Sequence, residues 1–459
     1  MDPMSKTQTG ELAQPVSRSH RRNWISALLL GLALAAVYAA NGRNLGSYDT
    51  EPTKMLLLTL ARGEGVYLDR FRPVLRDTNR VLPVFARPWR GHILSRYPTA
   101  PAILVQPCVI PQVVFLDWLR PGWDREPRLA NSICQQIARR SMAVLMSMAA
   151  VILYGLLISL GLRRVALPAT LAAALGSNLW TVGSQAMWQH GPAAFSLIVA
   201  IALLRPTPVP RWRLILAGLA TAFLFSCRLI DGLFAAVIVL WLARSQPKGL
   251  FWFLPAPLLG AIFLLNYNLG YFREFGGGQA ELEQLHRSIH HLPGPWSGKL
   301  VEGALGTLVS PSRGLFIYTP WVALALVATP LVASRLASHR LIIWLLLALI
   351  PYFLLLSKYA VWWGGHCFGP RYWTDVIPLF AILLAFELDW AGGRSRILTA
   401  LFAITIALGI AVQLIGAYCF PSSWNLKPVN VDFRHERLWD WRDSELSRCL
   451  VETWRQYRK

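Results

Sequence analysis

PTAPAILVQPCVIPQVVFLDW, residues 98–118, is an apolar run long enough to cross a bilayer core, which takes about 17–25 residues. Whether it crosses decides the fold, because a crossing here moves every later loop to the other side. Pro98, Pro101, Pro107 and Pro111 interrupt it. Each proline removes a backbone donor that lipid cannot replace. The segment is therefore read as a re-entrant or interfacial element and not as a span.

On either side of it the sequence is that of a polytopic membrane protein. Of its 459 residues 54% are hydrophobic and 15% charged, against about 25% charged in a soluble domain. The mean hydropathy is +0.41. WISALLLGLALAAVYAA, Trp24–Ala40, follows the basic SRSHRRN, which marks a cytoplasmic N-terminus. A cleaved signal peptide is the alternative, but Val37 and Ala39 make a weak cleavage site. Further spans fall near 139–161, 165–183, 190–204, 212–227, 231–244, 250–267, 315–334, 341–357, 375–390 and 396–416. The expected fold is all-α, with about eleven transmembrane helices.

Arginine placement sets the sides. Arg163 and Arg164, Arg205, Arg211 and Arg213, Arg244 and Lys248, Arg335 and Arg340, and Arg394 and Arg396 alternate onto the side of Arg21 and Arg22. That side is the cytoplasm. The chain then divides into a cytoplasmic segment 1–23, a membrane domain 24–416 and an outer tail 417–459. Outer loops run over about 41–138 and 268–314, the first holding interfacial helices. Shorter outer turns lie near 183–189, 227–230 and 358–374. The net charge of +21 is largely accounted for by this orientation, and no nucleic-acid partner is inferred. Among the six cysteines no CxxC or metal spacing occurs. Cys419 and Cys449 are one candidate disulfide pair in the tail, and Cys108 and Cys134 a weaker one.

Function is sought in the outer loops, where chemistry gathers. GSYDTEPTK, 46–54, places Asp49 and Glu51 just after the first span. Pro52 is suited to open a helix, and PTKMLLLTLAR is apolar enough to lie in the interface. The two acids are then either ordinary caps at that helix's positive end or a general base at the membrane surface. Arg62, Arg70, Arg72, Arg76, Arg80, Arg87, Arg90 and Arg96 follow. Long translocated loops are largely exempt from the orientation rule. These arginines suit a solvated face, anionic headgroups or a phosphate-bearing ligand.

Other outer helix ends repeat the theme. SQAMWQHGPAAF, 184–195, offers Gln189 and His190 beside the belt aromatic Trp188. SCRLIDG, 226–232, carries Arg228 and Asp231, which either pair as i, i+3 or serve a site. The densest cluster is SKYAVWWGGHCFGPRYWTDVIP, 357–378, with Lys358, His366, Arg371, Tyr372 and Asp375 among tryptophans and glycines. Aromatics and cations together suit a sugar ring and a phosphate. SPSRGLFIYTPW, 310–321, adds Arg313 and Tyr318, and RLWDWRDSE, 437–445, is a candidate lid.

Taken in order, SYDTEP, SRYPTAPAIL, MWQHGPAAF and HCFGPRYWTDVIP, with the span pattern over most of the chain, resemble the bacterial GT-C superfamily of integral-membrane glycosyltransferases. That group includes protein O-mannosyltransferase-like enzymes and the aminoarabinose transferases that modify lipid A. The resemblance implies an enzyme of the bacterial inner membrane with a periplasmic active site. It implies transfer of a monosaccharide from a polyprenyl-phosphate carrier to an acceptor hydroxyl on a lipid, a polysaccharide or a secreted protein. The family's acceptor-activating acid maps onto Asp49, with Glu51 as its helper or rival, since Thr50 separates two acids that are often adjacent. From chemistry and position, donor-phosphate contacts fall among Arg96, His190, Lys358, His366 and Arg371. Tyr97, Gln189, Arg228 and Tyr372 complete the candidate donor-binding set. No redox cofactor is needed. Some relatives use a divalent metal, for which the sequence shows no clustered ligands. A lipid-linked-sugar flippase, a ligase using a polyprenyl diphosphate donor and a structural envelope subunit are the competing classes.

Overall fold

The computed structural model describes residues 18–76, 81–205, 207–290 and 293–457. Arg80 and residues 1–17 of the N-terminal segment lie outside them. The described chain is mostly helical, with one two-stranded ribbon. Each of the eleven apolar segments read from the sequence contains helix. Among the described residues, only Pro127–Ser159, Arg340–Lys358 and Arg396–Cys419 are alone long and apolar enough to cross a membrane. Pro247–Phe253 and Pro255–Phe272 pass together, but bend by 48°. Several others are shorter, as at Ala166–Leu175, where the α-helix ends before Gly176 and resumes as a π turn, Leu179–Gly183.

The proline-rich run at 98–118 is two helices, Ala100–Leu104 and Gln106–Leu119, separated at the buried Val105. Pro101 and Pro107 sit in first turns, where the missing N–H costs nothing. The longer piece spans about 21 Å at 1.5 Å per residue, short of the roughly 30 Å hydrocarbon core. It packs against Glu51–Ala61 and Pro127–Ser159. Together these helices enclose a second core of Met55, Leu56, Val109, Val113, Cys134 and Met142.

Glu51–Ala61, expected in the interface, is instead an internal helix. Every residue from Pro52 to Thr59 is buried. Met55–Leu58 is apolar on every side and Lys54 is buried in an ion pair with Glu51, so protein covers the helix all round. The central helix Ile377–Gly392 is enclosed in the same way. By contrast, Leu401, Ile404 and Leu408 recur at helical spacing and stay exposed, as do Ile262, Phe263, Leu347 and Ile350. Apolar faces of this kind mark contact with a membrane or a partner.

The expected 268–314 loop contains two helices, Gly277–His290 and Leu300–Val309. The second lies close against Arg340–Lys358, because a Cβ at Gly303 would stand 2.1 Å from the Ser357 carbonyl oxygen. None of the six cysteines is disulfide-bonded, so neither candidate pairing, Cys419–Cys449 or Cys108–Cys134, is formed.

Candidate active site

The first helix, Arg18–Ala40, delivers the chain to a short turn. The Asp49 amide donates to the Ser47 hydroxyl at 3.4 Å, and the Thr50 hydroxyl donates to the Ser47 carbonyl at 2.8 Å. This turn presents the Asp49 carboxylate sideways instead of down the following helix. One oxygen accepts from the Tyr97 hydroxyl at 2.7 Å. The other is ion-paired with Arg371. The Asp49 side chain keeps 24% of its exposure, so a ligand can reach it.

Each partner is itself held. Ser95 fixes Tyr97 by accepting from its amide and donating to its carbonyl, both at 3.0 Å. Burial, and then the Asp49 charge, push the Tyr97 phenol well above its ordinary range, so it stays a donor. The Arg371 guanidinium lies 4.8 Å from the Trp188 ring centre and 5.3 Å from that of Tyr372. Burial works against its charge, but Asp49 and its neighbours outweigh this and raise its pKa well above the usual range. Its buried Nε has no hydrogen-bond partner. A largely buried cation with a spare donor, beside a reachable carboxylate, has the chemistry to take an anion.

A second chain of contacts runs behind Tyr372. His190 Nδ1 stands 2.8 Å from Asp375, whose other oxygen is ion-paired with Arg228. Arg228 also lies 5.4 Å from the Tyr372 ring centre. The Tyr352 hydroxyl donates to the Tyr372 carbonyl at 2.6 Å. A carboxylate can only accept here, so Nδ1 carries a proton; a neutral His190 then offers a lone pair at Nε2. That atom is buried and has no partner. In this state His190 would accept from a ligand hydroxyl better than it would hold a phosphate.

The remaining sequence candidates divide. Glu51 pairs with Lys54 at 2.7 Å and does not reach Arg371. Gln189 accepts from Gln279 at 3.1 Å. Arg96 is spent on Glu281 at 3.1 Å and on the Ala86 carbonyl at 2.9 Å. Lys358 is exposed at the end of its helix, next to Tyr359, and has no ion pair among the described residues. His366 faces the tail, at 3.0 Å from Asn430 and 3.1 Å from Asp432. The Arg228–Asp231 pair, one of the two readings of that stretch, does not form. Arg228 leaves the helix in an extended conformation, φ −146° and ψ 119°, which turns its side chain toward Asp375. Neither Asp231 oxygen has a hydrogen-bond partner.

Five of the first-loop arginines serve acids, three of them in the same loop. Arg62 binds Asp117 and Asp124, Arg70 binds Glu64 and Asp124, Arg72 binds Asp69, and Arg87 binds Glu281. The sequence reading did not see Glu281, nor Glu283, which accepts from the Tyr359 hydroxyl. Both sit on Gly277–His290, within a segment read as loop. Their only sequence signal was the helical periodicity of that stretch.

An apolar groove of about 420 Å³ opens beside the cluster. Leu219, Phe223, Leu259 and Phe263 line it together with Arg96, Tyr97 and Gln279. Tyr97 thus belongs to both the groove and the Asp49 cluster. A second groove, of about 480 Å³, is almost wholly apolar and includes Trp373. No three His, Cys, Asp or Glu among the described residues converge as a metal-holding set. No family model, curated protein or solved structure matches the chain.

Proposed function

We propose that this protein is an inverting glycosyltransferase of the GT-C type in the bacterial inner membrane, with eleven spans and its catalytic face in the periplasm. It moves a monosaccharide from a polyprenyl phosphate to an acceptor hydroxyl. The observation that carries this reading is the junction of Asp49, Tyr97 and Arg371 beside an apolar groove. A carboxylate, a firmly protonated guanidinium with a spare Nε, and a slot for hydrocarbon are what such a transfer needs in one place. The basic short loops and the exposed apolar helix faces support the orientation and the membrane setting.

The isoprenoid lies in the groove and its phosphate reaches Arg371. That phosphate competes with Asp49 for the guanidinium and so frees the carboxylate. Asp49 takes the proton of the acceptor hydroxyl as its oxygen attacks the anomeric carbon. The bond from that carbon to the phosphate oxygen breaks, and its electron pair leaves with the polyprenyl phosphate. Arg371 stabilises the developing charge. Tyr97 orients Asp49, and the partly exposed ring of Tyr372 offers the sugar an aromatic face.

The test is transfer by the purified full-length protein in lipid vesicles, with a panel of polyprenyl-phosphate monosaccharides. Release of polyprenyl phosphate, with inverted anomeric configuration in the product, is expected for at least one donor. Absence of transfer from every donor and acceptor pair overturns the proposal, and a retained configuration overturns the single displacement.

A further inference from the structure

After Arg396–Cys419 the chain turns back across the segment that carries Arg371. The Trp363 indole donates to Asp432 at 2.8 Å, and His366 stands between Asn430 and Asp432. The Ser310 hydroxyl donates to the Leu438 carbonyl at 2.6 Å. The strap ends at Glu445, whose carboxylate is fully buried.

Glu445 is ion-paired with Arg313, which is 1% exposed. It also accepts from the Tyr318 hydroxyl at 3.1 Å and from the Gly369 amide at 2.9 Å. Arg313 in turn donates to the Trp363 carbonyl at 2.8 Å and the Gly365 carbonyl at 3.0 Å. The pair therefore holds the glycine turns on the N-terminal side of Arg371. Gly369 has φ +65°, and a Cβ there would meet the Tyr318 ring at 2.5 Å. Burying two charges for packing alone is costly, since an apolar pair of similar volume often does as well. A carboxylate placed on the Gly369 amide does something an apolar pair cannot: it fixes the backbone two residues before Arg371.

We infer that the C-terminal segment is a working part of the active site, and that Glu445 is a positioning residue which aims Arg371 at Asp49 and at an incoming phosphate. The phosphate part of this inference rests on the function proposed above. The positioning part does not.

The test compares full-length wild type with Glu445→Gln and, further out on the strap, Asp432→Asn. Three readouts are used: binding of polyprenyl phosphate in vesicles, the KM and kcat of transfer, and hydrogen exchange of the 364–372 backbone. Glu445→Gln is expected to weaken polyprenyl phosphate binding and raise donor KM by about tenfold, the loss typical of one charge-assisted hydrogen bond. The kcat at saturating donor stays within about threefold, and exchange in 364–372 rises. Asp432→Asn is expected to move the same readouts less, about threefold, with only a small loss of thermal stability. If Glu445→Gln does not fold, Asp432→Asn decides. A folded Glu445→Gln protein with wild-type exchange at 364–372 and wild-type KM overturns the inference. If wild type binds no polyprenyl phosphate, the functional proposal fails; unchanged exchange in Glu445→Gln would still overturn the positioning role separately.

Discussion

Asp49 and Arg371, 322 residues apart in the chain, meet in one ion pair beside the Tyr97 hydroxyl. The pair joins the turn after the first helix to the entrance of the central helix. Arg371 bears on the phosphate in the proposed reaction, and its stacking between Trp188 and Tyr372 depends on a flat guanidinium. Arg371→Ala is expected to lower transfer at limiting donor by about 10²–10³-fold, with Arg371→Lys recovering little. Steady-state kinetics on the two variants checks this, and wild-type rates in Arg371→Lys would remove the stacking geometry from the account.

Asp375 supports the same region from behind. It is 1% exposed and serves Arg228 and His190 together. Asp375→Asn leaves the buried Arg228 without its counter-charge and is expected to destabilise the protein by about 3–5 kcal/mol. Adding Arg228→Met should recover part of that loss, because the orphaned charge is gone. Thermal unfolding of the single and double variants reads the difference.

His366 makes the strap sensitive to pH. Burial alone makes its imidazole less basic, but its hydrogen bonds to Asp432 and Asn430 and the Asp432 charge prevail and raise its pKa. A group raised in the folded state contributes stability that is complete below its unfolded value, about 6.5, and lost as pH rises through the folded one. The stability advantage of wild type over His366→Gln is therefore expected to be larger at pH of about 5.5 than at about 8.5. Equal advantages at both values would mean the ring is bound without its charge.

Glu387 sits within the central helix at 1% exposure, and neither of its oxygens is hydrogen-bonded. Burying such a group is unfavourable in either protonation state. Glu387→Leu is expected to raise stability by about 1–3 kcal/mol without loss of transfer. A loss of transfer at unchanged stability would instead give Glu387 a part in the reaction.

The fold was legible where composition alone decides, and illegible where the chain had to meet itself. Long apolar runs and basic short loops located the eleven helical segments. Pro52 indicated the helix it opens, whereas the break at Val105 between Pro101 and Pro107 was not foreseen. The ribbon of Ala86–Trp89 and His92–Ser95 was missed, because its turn uses Arg90 and Gly91 instead of the usual Asn-Gly. Arg90 nevertheless adopts φ 46° and Gly91 φ 88°. The burial of Glu51–Ala61 was missed because an apolar helix reads the same under protein as on lipid. Of the two readings of Arg228, the i, i+3 pair with Asp231 fails because the helix ends just before Arg228. Arg371, Tyr97 and Asp49 were each named, but only the folded chain joins them.

The central claim is that Asp49, and not Glu51, activates the acceptor. The most direct measurement is transfer by Asp49→Asn and Glu51→Gln in the same vesicles, with polyprenyl phosphate binding measured alongside. Asp49→Asn is expected to bind polyprenyl phosphate and to lose about 10²–10⁴-fold in kcat, the usual contribution of a general base. Glu51→Gln should keep a kcat within about threefold of wild type but lose stability, since its carboxylate pairs with the buried Lys54 and not with Arg371. Full activity in Asp49→Asn, with Glu51→Gln inactive, would contradict the account.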